Sequence, residues 1–260
     1  MAAAHWLLTF VAAAALLGQA LDRLSFDVAT IKPSQRLDEG GGMGWQPGGT
    51  LHGTNVSVRN LLLSAYGKSY RQSLLPAQVI GAPGWATTDR YEIVAKVSPD
   101  LAALPLPDLF PKLPALLRSL LEDRFKLKVH WEMRELPVYV VRMASDNGKL
   151  GPQLHVSSLD CERERSKCFL EFKPGHLRGG FIDAETMVRM ITSSLERVVI
   201  DKTGLKQKYD FEIEWSPDQT STDKPSLFAA AREQLGLRID SQRAPVDVVV
   251  IDHVEKPTEN

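Results

Sequence analysis

The chain has 260 residues, 43% hydrophobic and 24% charged, an ordinary globular composition with apolar residues enough for one or two cores. Lys plus Arg number 31 against 32 Asp plus Glu, for a net charge of −1. With no basic excess to neutralise phosphates, this balance argues against general nucleic-acid binding and against electrostatic docking on an anionic membrane.

The first element is MAAAHWLLTFVAAAALLGQA. Its apolar run, Trp6 to Leu17, is shorter than the roughly 20 residues a bilayer span requires. Gly18-Gln19-Ala20 then gives the small-x-small pattern read by signal peptidase, although no Lys or Arg precedes the run. Residues 1–20 are therefore expected to be a signal peptide cleaved near Ala20, with an uncleaved anchor as the alternative. No Cys ends the run, which sets a lipoprotein aside, and no later stretch reads as a transmembrane segment. The mature chain is expected to be exported, periplasmic or extracellular.

SFDVATIKPS reads as a strand stopped by Pro33, and RLDEGGGMGWQPGG as a glycine-rich surface loop. No strand–G-x-G-x-x-G–helix context surrounds those glycines, so they form no phosphate cradle. From there the two halves run in parallel. Leu51, Gly53 and Val56 match Leu177, Gly179 and Ile182, and Ser57 and Asp183 each stand as N-cap to a helix. Ile80, Gly84 and Trp85 match Ile200, Gly204 and Leu205, a strand and a turn. Tyr91-Glu92-Ile93 faces Tyr209-Asp210-Phe211. In the second copy alternation puts Tyr209, Phe211 and Ile213 inward and Asp210, Glu212 and Glu214 on a solvated face. An amphipathic helix then runs into a strand in both halves, with Phe125, Leu127 and Val129 on Leu235, Leu237 and Ile239. Pro137-Val138 finally falls on Pro245-Val246.

The expected fold is α+β, two tandem related β-α-β-β-α-β-β units packed together, an internal duplication. Residues 21–143 form the first unit with its N-terminal strand and Gly-rich loop, 144–173 a connector with the Cys pair, and 174–260 the second unit. In an oxidising compartment Cys161 and Cys168 would close a local disulfide contributing about 2–3 kcal/mol by loop closure. Free thiols are the alternative, and a metal site lacks further ligands nearby.

Catalytic patterns are scarce. Ser221 to Lys224 fits S-x-x-K, but Pro225 follows and takes Lys224 out of helical geometry, so the segment is a loop. His52, His130, His155, His176 and His253 show no metal-ligand spacing. Glu122, Asp123 and Asp201 fit helix surfaces and turns. No catalytic residue, metal site or cofactor is predicted. Trp45, in the glycine-rich loop, is the aromatic expected to contact a ligand, whereas Trp85 matches Leu205 and reads as core.

The blocks FDVATIKPS, GGTLHGTNVSVRNLLLSAYG, LLEDRFKLKVH, VVIDKTGLKQKYDFEIEW and LGLRIDSQRAPVDVVVIDHVEKPTEN together resemble a secreted family of unknown function expanded in soil Acidobacteria. The same domain resembles the extracellular part of membrane metallopeptidase sensors of the β-lactam-receptor type. The H-E-x-x-H of those sensors is missing here, so the resemblance implies no peptidase role. LERVVIDKTGL and LFAAAREQLGLRI are also similar, more weakly, to steps of the short N-terminal domain of secretins and TonB-dependent receptors, a module of protein–protein contact. The combined expectation is a non-catalytic binding or interaction module for an envelope protein or a peptide-like ligand. Its strands PVYVV and PVDVVVIDH, begun by edge-tolerant prolines, would accept a partner strand through Val246, Val248 and Val250. The alternatives are a secreted hydrolase with its site assembled between the halves, and a ligand-sensing domain working with a membrane partner.

Overall fold

A computed structural model describes residues 23–35, 40–217 and 224–258. The expected signal peptide at 1–20 and Ser221 of the S-x-x-K pattern lie outside these residues. The chain runs β1 (Val28–Pro33), β2 (Gly42–Gln46), β3 (Thr50–Val56), α1 (Val58–Ala65), β4 (Val79–Ile80), α2 (Trp85–Thr88), β5 (Tyr91–Lys96), α3 (Pro99–Ala102), α4 (Leu106–Leu109), α5 (Leu113–Phe125) and β6 (Lys128–Met143). It continues with β7 (Leu154–Val156), β8 (Leu170–Lys173), β9 (His176–Asp183), α6 (Ala184–Ile191), β10 (Val198–Asp201), β11 (Lys208–Glu214), α7 (Leu227–Ala230) and β12 (Leu237–His253). The fold is mixed α+β, with sheets ordered β1-β5-β3-β2, β10-β6-β12-β4 and β7-β11-β9-β8.

Period-two burial makes the first sheet amphipathic, so Ile31, Leu51 and Ile93 turn to one side. There they meet Leu61 and Leu62 of α1 and Leu117, Leu121 and Phe125 of α5. Phe125 sets its ring edge-on to Tyr91 at 5.7 Å. In the third sheet, Leu177, Phe211 and Ile213 meet Met187, Val188 and Ile191 of α6. Each such side chain contributes about 1.5–3 kcal/mol by leaving water.

Both sheet-to-helix junctions use one local device. Asn55 (φ 52°) and Phe181 (φ 62°) stand in the left-handed region. Their N–H groups donate to carboxylates on the neighbouring strand, Glu92 at 3.1 Å and Asp210 at 2.9 Å. Two residues later the predicted N-caps close, Ser57 accepting from Asn60 N–H at 3.2 Å and Asp183 from Thr186 N–H at 2.8 Å. The Thr186 N–H and the nearby Lys208 outweigh desolvation and hold the Asp183 carboxyl below its usual range.

Between the cores, β6 and β12 form a long antiparallel ribbon from Met143 opposite Leu237 to Lys128 opposite His253. One face carries Val129, Val249 and Ile251 into the first core and Tyr139, Val141, Leu237 and Ile239 into the second. Two expectations are corrected here. Segment 144–173 is more than a connector, because it supplies β7 and β8, the outer strands of the third sheet. Nor are PVYVV and PVDVVVIDH edge strands begun by prolines. Both prolines lie inside inner strands, tolerated because register turns their nitrogens outward. The Ala144 N–H to Gly236 O bond fixes the parity, so Pro137 and Pro245 fall in non-hydrogen-bonded pairs. They also fall just short of the stretches flanked by β10 (from Val138) and β4 (from Val249). Ile200 of β10 lies beside Val140 of β6, and Ile80 of β4 lies beside Val250 of β12.

Candidate binding edge on the disulfide-stapled sheet

The stretch Cys168-Phe-Leu-Glu-Phe-Lys-Pro-Gly175 builds an outer strand. Gly175 (φ 75°) closes the tight turn into β9, and β8 pairs with β9 from Leu170–Gly179 to Lys173–His176. The Gly180 N–H donates to Phe169 O at 2.9 Å, so Phe169, Glu171 and Lys173 direct their backbone groups at β9. By alternation the N–H and C=O groups of Leu170 and Phe172 point away from the sheet. Beside them stand exposed apolar side chains: Phe169 39%, Leu170 37% and Phe172 46% accessible. Phe172 lies 6.4 Å from the ring of the buried Trp215.

On the opposite face of the strand, Glu171 accepts from Lys173 and from Arg178 Nε at 2.7 Å. Those two cations lower its carboxyl to a pKa of about 2. The Arg178 guanidinium also sits 5.2 Å over the Phe169 ring. Across the sheet Glu212 pairs with His176 at 2.8 Å.

The segment before β8 is stapled. Cys161 and Cys168 form a disulfide with Cα atoms 5.8 Å apart, as expected over the thiol and metal readings. At its start Asp160 Oδ1 accepts the Glu162 N–H at 3.0 Å, and inside it Lys167 reaches Glu164. The loop lies directly on β9, where a Cβ at Gly180 would stand 2.3 Å from Lys167 O. Behind it opens a cleft of about 380 Å³, lined by His155, Leu159, Lys167, Phe169, Arg178 and Asp210.

A second cleft of about 490 Å³ lies at the end of the first sheet, between Ser34, Asp89, Arg90, Tyr91 and Lys256. Lys256 bonds Asp89 at 2.7 Å and holds its carboxyl low. Burial, with Asp89 nearby, raises the Tyr91 hydroxyl.

The residues singled out from sequence lie elsewhere. Trp45 is on β2, half-buried against Phe26 at 6.4 Å, with its indole N–H enclosed. Val246 and Val248 are buried, and Val250 is half-buried beside Ile80 of β4. Gln78 Nε2 further occupies the outer side of β12 by donating to Asp247 O at 3.1 Å. These four residues therefore sit on two sheets and do not join at β8. What sequence reasoning passed over is Phe169, Leu170 and Phe172. Their signal was present as apolar residues between Cys168 and a Pro-Gly turn. His130, His176 and His253 pair with Asp252, Glu212 and Glu255 at the surface. Among the described residues no three His, Cys, Asp or Glu side chains gather as metal ligands, and no helix is long and apolar enough to cross a membrane.

The model of one protein family, DUF3738, a protein of unknown function, matches residues 59–254. No curated protein and no solved structure matches the chain.

Proposed function

We propose that this chain, which belongs to the DUF3738 family of unknown function, is an exported, non-catalytic module that binds an extended protein segment along β8. The carrying observation is the outward row of Leu170 and Phe172 backbone groups beside exposed Phe169, Leu170 and Phe172. An added strand would satisfy those groups, while pockets between the apolar side chains would select its residues. The stapled loop holds Phe169 in place beforehand, which lowers the ordering cost of binding.

Export is supported by the Trp6–Leu17 run and by the disulfide, which persists in oxidising compartments. Binding rather than chemistry is supported by the clefts. Asp210 serves Phe181, Glu212 serves His176 and Asp89 serves Lys256, so these carboxylates are engaged in structure. We also read the halves as an internal duplication. The two outer sheets share strand order, and Asn55–Glu92 repeats as Phe181–Asp210. In that frame Trp45, opposite Leu51, is the counterpart of Phe172, opposite Leu177. Phe26 packs against Trp45, so on this reading the contact role passed to the second half.

The test is a photoreactive phenylalanine analogue at position 172 in cells exporting the chain, with position 100 on α3 as control. Protein adducts at 172 and none at 100 are expected. Equal adducts at both, or none at 172, would refute the edge reading.

A further inference from the structure

Resting on that reading of β8, we infer that the segment it takes up is β8 of a second copy of this chain, paired antiparallel about a two-fold axis at Phe172. Charge selects this partner and this register. The residues with outward backbone groups are Leu170 and Phe172, so a partner strand must place its own bonding residues opposite them. Pairing centred on Phe172 sets Phe172 against Phe172, which exchange both N–H···O=C bonds. Glu171 then faces Lys173 of the second copy, and Lys173 faces its Glu171, in the closer, non-hydrogen-bonded pairs.

The neighbouring two-fold registers fail on charge. Centring on Glu171 puts two carboxylates opposite each other, and centring on Lys173 puts two ammonium groups opposite each other. The chosen register has one cost, since Leu170 meets Pro174, which has no N–H to return. On the other face the exposed Phe172 and Leu170 rows of both copies come together, covering side chains that are otherwise open to water. The two four-stranded sheets become one continuous sheet, and the edge is closed by its own kind.

The test uses the full chain in sedimentation velocity across a concentration series. Wild type is expected to run at twice the mass of one chain. Lys173→Glu sets Glu171 against a second carboxylate, and Glu171→Lys sets Lys173 against a second ammonium. Each alone is expected to weaken association about tenfold or more. An equimolar mixture of the two variants restores opposite charges at both contacts and should recover the dimer, an outcome that a misfolded variant could not produce. Wild type that stays monomeric, or a mixture that stays monomeric while wild type dimerises, overturns the second-copy inference. If position 172 still yields adducts to another protein, the edge reading survives that loss; if it yields none, both fail.

Discussion

Replacing Cys161 and Cys168 together by Ser would measure what the staple does for the edge. The bridge spans a sequence separation of 7, so it closes a loop of about eight residues. Loop-closure entropy for that length is about 8 cal/mol/K, or about 2.5 kcal/mol at 25 °C. In a domain of this size that lowers the melting temperature by about 5–10 °C. The loop lies on β9 at Gly180, and β9 carries Leu177 into the second core, so the loss should appear in the cooperative unfolding of that half. Trp215, buried in the second core, reports it by fluorescence during urea unfolding. The expected result is a lower midpoint with an unchanged slope. An unchanged midpoint would mean that the loop frays independently of the sheet and does not brace Phe169 and β8.

Gly180→Ala places a Cβ 2.3 Å from Lys167 O, so the loop must shift; a loss of about 1–3 kcal/mol in urea unfolding is expected. Asp210→Ala removes the acceptor of the Phe181 N–H while Phe181 stays left-handed. It should cost about 1–3 kcal/mol, and adding Phe181→Gly should recover about 1 kcal/mol by relieving that backbone. Lys173 and Arg178 depress Glu171 from 4.5 to about 2. Its contribution is therefore present above the ordinary carboxyl range and lost as pH falls from 4.5 towards 2. Thermal melts of Glu171→Gln should show a flatter decline than wild type across that window, and identical slopes would contradict the pairing.

The elements readable from sequence are those set by local periodicity. Ser57 and Asp183 cap helices as their positions predict, and Tyr209, Phe211 and Ile213 turn inward while Glu212 and Glu214 stay exposed. Strands β7 and β8 escaped because three or four residues carry too little alternation to stand out from a polar segment. The ribbon escaped for a different reason. Whether Pro137 and Pro245 turn their nitrogens outward depends on which residue of a distant strand stands opposite, and that register is absent from local pattern. That Phe26 packs against Trp45 was not legible either, because Phe26 is a tertiary neighbour. Phe169, Leu170 and Phe172 are visible in the sequence as apolar residues before a Pro-Gly turn, but that their strand edge is open follows only from the pairing of β8 with β9.

Amide hydrogen exchange across β8, resolved by residue, tests the open edge most directly. In the dilute chain the Leu170 and Phe172 amides should exchange fast and those of Glu171 and Lys173 slowly, and Leu170 and Phe172 should become protected as an occupant binds. Uniform protection in the dilute chain would show the edge already closed by its own fold, and fast exchange persisting at every concentration and with every envelope fraction would show that nothing binds there; either result contradicts the account.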